Sequence, residues 1–434
     1  MVSSLRLRGA ALAAAAILLV GAAAPPSAFR APLRLGFPAG DDWEPAIAAD
    51  RAGHMYVLYS HYGNDPACPG CASPHSELQV SGDGGATWST PRPIAPSRQR
   101  QDDPQIVVDP ADGRTVYAAF MQGNKASQYV ARSTDFGRTW RVVLTEHLER
   151  GTDKEILAVR GKDVYLAYHA GYHIFVSASH DGGRTWTVRQ PLESTRELGE
   201  SLGSGGTVDS EGRVYFAWNG VERPARPKGP INLYLTTSAR GGRSWRTSVI
   251  DVSQIARDCR CGGWDYWGAQ MALVVDGRDN VYLLWNANRR PGAPQRLYFA
   301  RSTNHGVSWT RPVDVSPAPY GANNVFPAIV ATGNGDVRIG WMDDRRGHDA
   351  GGNDPTARWN TFTRSSKDGG RTWSTDQRLS TFVPGYAYLF NTGFLQPYGD
   401  YFEMEIDGTG RTHAIWGAGN SYAGPGNVWY TRSR

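Results

Sequence analysis

The octapeptide SKDGGRTW at Ser366–Trp373 is one of six related turns in this chain. The others read SGDGGATW at Ser81–Trp88, STDFGRTW at Ser133–Trp140, SHDGGRTW at Ser179–Trp186, SARGGRSW at Ser238–Trp245 and STNHGVSW at Ser302–Trp309. Successive copies begin 52, 46, 59, 64 and 64 residues apart. Self-similarity at such a period marks a repeat architecture. The residue types suit a tight turn. Asp or Asn bonds amides just ahead of it, Gly accepts φ > 0, Ser adds a local hydrogen bond, and Trp wedges between neighbouring sheets. Asp83, Asp135, Asp181 and Asp368 are therefore read as structural, because one carboxylate per repeat around a ring cannot converge on one substrate. Two copies are worn, with Arg240 and Asn304 at the Asp position.

Seven short runs alternate apolar residues and end in an aromatic: MYVLY to Tyr59, TVYAAF to Phe120, VYLAY to Tyr168, VYFAW to Trp218, VYLLW to Trp285, VRIGW to Trp341 and THAIW to Trp416. Period-two alternation identifies strands, and the Gly- and Asp-rich segments before them identify hairpin turns. Each unit reads as a four-stranded blade: strand, hairpin, strand, loop, strand, turn motif, strand. The seventh unit ends after its third strand, Asn427–Arg432, and Ala31–Phe37 is placed to supply its fourth. Such closure leaves no open sheet edge. The expected fold is all-β, a seven-bladed β-propeller over residues 29–434; six blades is the alternative if one strand pair is an insertion.

The octapeptide is the Asp box, or bacterial neuraminidase repeat, and the chain resembles the sialidase-like Asp-box (BNR repeat) β-propeller superfamily. The resemblance spans nearly all of residues 29–434. It implies a glycan-active funnel at the end of the propeller opposite the Asp boxes. Sialidases hold a substrate carboxylate with three arginines, whose forked guanidinium suits it, and use a Tyr nucleophile beside Glu with an Asp acid/base. Their Arg-Ile-Pro signature precedes the first inner strand. Here that place reads Trp43-Glu44-Pro45, and no Arg-Ile-Pro occurs elsewhere. The first arginine of the triad is therefore not carried over.

Loops on a rigid scaffold are where chemistry is normally placed. The expected funnel face gathers the starts of inner strands and the exits of second strands. On it, Asp103, Glu155, Tyr398 and Asp400 are the catalytic candidates, with Tyr398 or Tyr401 the nucleophile under a sialidase-like mechanism. Glu44, Arg100, Arg257, Trp267, Gln270, Asp344, Arg345 and Tyr401 are the substrate-binding candidates. Asp343–Arg346 also reads as a local ion-pair cluster. The function expected is a secreted sialidase-like glycoside hydrolase; the alternative is a non-catalytic glycan- or protein-binding propeller. A metal-dependent polysaccharide lyase using His61 and His169 is a third reading. No cofactor and no metal in the site are expected, and no zincin, nucleophile-elbow or phosphate-loop motif is present.

Residues 1–28 read as a secretory signal peptide: Arg6 and Arg8, an apolar run Ala10–Val20, then small residues. The run is short for a membrane span. The formal charge is +5, of which the leader arginines supply two, leaving +3. That balance does not point to nucleic acid. An extracellular glycan or glycoprotein is the expected partner of a monomer, with no membrane association after signal cleavage. Four cysteines form two clusters, Cys68/Cys71 and Cys259/Cys261. Two disulfides are expected in an exported protein, with cross-cluster pairing favoured because a bridge within Cys-x-Cys is cramped. Three connectivities are open; a four-cysteine zinc site is the runner-up.

Overall fold

The structure is a computed structural model. It describes residues 28–149, 151–171, 173–192, 198–222, 230–239, 241–254, 269–346, 359–381, 398–419 and 426–434. The leader reading of residues 1–28 lies outside these except for Ala28.

Seven four-stranded antiparallel sheets account for every named strand, which makes the protein a seven-bladed propeller. The inner strands are Asp41–Ala49, Gln101–Val108, Thr152–Arg160, Leu198–Val208, Met271–Val275, Asn324–Thr332 and Tyr398–Ile406. In blade seven the fourth strand is the N-terminal Leu33–Leu35, which pairs with Gly426–Arg432 through Leu33↔Tyr430 and Leu35↔Val428. Phe29 bridges Ser433, and the Arg434 amide donates to the Ala28 carbonyl at 2.9 Å. The ring is thus closed by the two ends of the described chain, as the sequence pattern predicts.

The strand-ending aromatics explain the packing. Tyr59, Phe120, Tyr168, Trp218, Trp285, Trp341 and Trp416 are all buried. Apolar clusters form between neighbouring blades. One joins Ala46, Leu58 and Leu78 of blade one to Ile106, Ala118 and Phe120 of blade two. Burial at such interfaces is the main favourable term in folding.

The Asp boxes are built as their residues dictate. In the first, Asp83 Oδ1 accepts from the amides of Ala86 and Thr87, both at 2.9 Å, and Oδ2 accepts from the Thr87 hydroxyl at 2.7 Å. Ser81 Oγ accepts the Gly85 amide at 2.8 Å. Asn304 substitutes well: its Oδ1 takes the Ser308 amide at 2.9 Å and its Nδ2 donates to Ser308 Oγ at 2.8 Å. The boxes share a face with the inner hairpins, since the Gly84 amide donates to the Gly53 carbonyl at 3.1 Å and that of Gly369 to Gly335 at 2.9 Å. The opposite face is left to the funnel.

One disulfide is present among the described residues, and it joins Cys68 to Cys71. This corrects both the cross-cluster pairing and the four-cysteine zinc site. The three-residue spacing brings the two Cα atoms to 5.4 Å, well within bridging reach, so proximity in sequence wins. Cys259 and Cys261 lie outside the described residues.

Candidate functional site

The site is built by a bulge repeated at the start of inner strands. Register shifts fall at Trp43/Ala46, Asp102/Gln105, Asp153/Ile156, Val325/Ala328 and Tyr398/Phe402. The extra residue turns one side chain out of the ladder and toward the axis. Four of these residues hold left-handed backbone without being glycine: Glu44 at φ 56°, Asp103 at 51°, Lys154 at 51° and Phe326 at 51°. Such conformations cost on the order of 1–3 kcal/mol each and cluster at functional sites. Three precede proline (Pro45, Pro104 and Pro327), which narrows their backbone freedom further.

Side chains of one blade satisfy amides freed by the bulge of the next. Glu44 Oε2 accepts the Asp103 amide at 2.9 Å, and Gln270 Oε1 accepts the Phe326 amide at 2.9 Å. Glu44 Oε2 also accepts from Ser60 Oγ at 2.6 Å. Across the ring seam, Glu403 Oε2 accepts the Ile47 amide at 2.9 Å.

Beneath the bulges runs an axial cavity of about 310 Å³. Lys154, Gln270, Phe326 and Tyr401 line its polar end, and Gln105, Glu403 and Glu405 stand among apolar side chains along its wall. Gly205 and Gly206 line it from blade four, where a side chain would meet Leu273 or Phe216 and Ile156.

The most reactive grouping joins blades two, three and seven. Lys154 Nζ lies 3.3 Å from Asp103 Oδ1 and 4.7 Å from the centre of the Tyr401 ring. Lys125 Nζ lies 2.5 Å from Asp153 Oδ2. Burial pushes the Asp153 carboxyl up, but Lys154, Lys125 and a hydrogen bond with the Asp103 carboxyl outweigh it and hold Asp153 well below the usual range. Asp103 faces the Lys154 ammonium, so two carboxyl groups and two ammonium groups form one network beside the mouth. A carboxyl held in place by an ammonium and a neighbouring carboxyl is positioned as an acid/base group would be.

Deeper in the channel, burial raises Glu403 and Glu405 from 4.5 to about 7. Both lie far inside the protein, yet each keeps part of its surface open to the axial cavity.

The sequence-derived candidates divide as follows. Gln270 and Tyr401 line the mouth; Glu44 and Asp103 are buried behind it, Asp103 joined to it through Lys154. Glu155 does not: its side chain is 1% exposed, faces Gln128 at 3.4 Å and is absent from the cavity wall. Desolvation by burial raises its carboxyl well above the ordinary range, and it sits behind the site. Arg100 is held by Asp102 at 2.6 Å. Arg345 belongs to a local cluster, paired with Asp343 at 2.8 Å and Asp376 at 2.6 Å and lying 3.9 Å from the centre of the Phe362 ring. Asp344 is buried beside Arg346. Tyr398 and Asp400 lie on the inner strand of blade seven. Arg257 and Trp267 fall outside the described residues.

Sequence reading singled out Asp103 and placed Asp153 and Lys154 on the same face, but it did not pair them and missed Lys125, because their convergence crosses blade boundaries. It also missed Glu403 and Glu405, although a signal was present. In Phe402-Glu403-Met404-Glu405-Ile406 two acids alternate along an inner strand, where the other blades place almost wholly uncharged residues.

Closed sheet edges, Asp boxes and an axial polar mouth define an Asp-box propeller. The family model for the BNR repeat-like domain matches residues 38–255, half of the chain, and the chain belongs to that family. Comparison with curated proteins gives no match. Among solved structures, a protein of unknown function from Dyadobacter fermentans is 14% identical with a TM-score of 0.54, covering 94% of this chain and all of that one. A PL25 ulvan lyase bound to a GlcA(1-4)Rha3S fragment is 12% identical with a TM-score of 0.52, covering 91% and 95%. The Hadza microbial sialidase Hz136 is 14% identical with a TM-score of 0.47, covering 91% of this chain and 66% of that one. At these identities the likeness concerns the fold alone.

Proposed function

We propose that this propeller is an exported glycan-active enzyme, a glycoside hydrolase in the broad sense, working at the funnel mouth with Asp103 as general acid. The observation that supports this reading is the grouping of Asp103, Lys154 and Tyr401 at the mouth, with Asp153 and Lys125 beside it. In this mechanism Asp103 protonates the departing glycosidic oxygen, and Asp153 and Lys154 fix where that proton is held. Tyr401, with its ring beside the Lys154 ammonium, stands where a sugar ring or a nucleophile would meet it. Glu44 sets the position of Asp103 through its amide.

The charge at the mouth argues against sialic acid as the substrate. Among the described residues the cavity wall carries one cation, Lys154, and no arginine. Glu44 occupies the place of the first triad arginine and would repel a carboxylate. Neutral glycosides are therefore the favoured class. Export rests on the leader-like segment at residues 1–28.

The test is a panel of neutral, uronic and sialic glycosides and polysaccharides, scored for reducing-end release and, in parallel, for binding. Turnover of a neutral glycan supports the reading. Saturable glycan binding without turnover replaces it with the binding-module alternative, and loss of both ends it.

A further inference from the structure

Blade one carries a second cluster, separate from the funnel. His75 and Glu77 lie two apart on the third strand His75–Ser81 and therefore share a face. Asp65 reaches them from the loop that follows the second strand. The three residues are 1%, 0% and 4% exposed.

Their polar atoms face one another, and one imidazole has to serve two carboxylates. His75 Nδ1 donates to the Ala72 carbonyl at 2.8 Å, which leaves Nε2 to face the acids. Nε2 is 2.8 Å from Glu77 Oε1 and 4.0 Å from Asp65 Oδ2. Nε2 thus pairs with one oxygen of Glu77, while Glu77 Oε2 and Asp65 Oδ2 stay buried without a hydrogen-bond partner. One potential ligand atom from each residue lies within 4.8 Å of the others. Buried polar groups are almost always paired, and unpaired buried charge is costly. Two carboxylates beside one imidazole leave that cost unmet.

A divalent cation would remove it. We propose that Asp65, His75 and Glu77 bind a first-row divalent metal ion, zinc foremost, at a structural site in blade one. The donor set of one imidazole nitrogen and two carboxylates suits zinc. Two carboxylates balance the charge of the ion. The surroundings are also those of a metal ligand: an imidazole whose other nitrogen is fixed on a backbone carbonyl has its tautomer set for metal. Asp65 is fixed likewise, its Oδ1 accepting the Ala67 amide at 2.7 Å. The burial of all three residues keeps substrate away, so the ion's role is to pin the loop of residues 63–74, with its Cys68–Cys71 bridge, onto the blade. That loop is coupled toward the funnel. His75 meets His61 edge-on with ring centres 5.6 Å apart, and His61 Nδ1 lies 2.8 Å from Asp42 on the inner strand.

The test uses the full-length protein carrying no histidine tag, incubated with zinc, dialysed and analysed by elemental mass spectrometry. Roughly one zinc per chain is expected, falling at least about tenfold in Asp65→Asn and Glu77→Gln. A chelator should lower the melting temperature of the wild type by at least about 3 °C, and zinc should restore it. The melting temperature of Asp65→Asn should ignore both. Should Glu77→Gln fail to fold, Asp65→Asn and the chelator series on the wild type decide the matter. Wild type without stoichiometric first-row metal, holding only calcium or magnesium, or unchanged by chelator, overturns the proposal. So does equal zinc in wild type and Asp65→Asn.

Discussion

Glu44 Oε2 accepts the backbone amide of Asp103 at 2.9 Å, across the boundary between blades one and two. Both residues are nearly inaccessible, and both hold left-handed backbone. The bond therefore fixes the acid by its main chain and leaves the Asp103 carboxyl to Asp153 and Lys154. Removing the Glu44 carboxyl strands the Asp103 amide and the Ser60 hydroxyl. Glu44→Ala is expected to lose about 2–3 kcal/mol of stability, and Glu44→Gln, which keeps an acceptor, about 1 kcal/mol or less. Denaturant unfolding of both variants beside the wild type checks the order.

Glu403 and Glu405 give the protein a pH signature. Each is raised from 4.5 to about 7 by burial in the channel. A carboxyl with a raised folded pKa binds more protons when folded than when unfolded, so its contribution to stability falls as pH rises from about 4.5 to 7. The loss approaches at most about 3 kcal/mol per group. Glu405→Gln should accordingly melt higher than the wild type at pH 8 and about the same at pH 4.5. An advantage that does not grow with pH contradicts the assigned burial.

The Asp boxes are predicted to behave as turn staples. In the second box the hydroxyl and amide of Thr139 lower Asp135 to about 2, with bonds of 2.6 Å and 2.9 Å. Asp135→Ala should lower the melting temperature by about 2–4 °C and leave any glycan turnover unchanged. Asn304→Asp, which restores the repeat, should be neutral or stabilising. A turnover defect in Asp135→Ala would move the functional face to the wrong end of the propeller.

Ring closure should be essential. Leu33–Leu35 completes blade seven, so removing residues 28–37 exposes the edge of Gly426–Arg432. Exposed edges invite aggregation. Size-exclusion chromatography of the truncated protein should show association or loss of soluble monomer, against a clean profile for the longer chain.

The fold was legible because its carriers are local. A Ser-x-Asp-x-Gly turn and an alternating strand ending in an aromatic each declare themselves within a few residues; the turns count to six, and the strands to the seven blades observed. The mouth was legible only in part. Glu44 and Asp103 stand out as acids before proline, but the partnership of Asp103 with Lys154 and Asp153 depends on a bulge and on the spacing between blades. Glu155 misled because a bulge reverses which neighbour faces the axis: Lys154 turns inward and Glu155 is buried behind it. The cysteine pairing failed for a related reason. Separated clusters invited a long-range bridge, while the loop itself folds Cys68 onto Cys71.

The most direct measurement compares wild type and Asp103→Asn on the glycan that the panel identifies, with circular dichroism to confirm folding and Asp343→Asn as a control in the ion-pair cluster. Loss of the Asp103 carboxyl should slow turnover by about 10²–10⁴-fold in Asp103→Asn, with binding retained and the control near wild type. Equal turnover in Asp103→Asn and wild type would contradict the assignment of the funnel mouth as the reacting site.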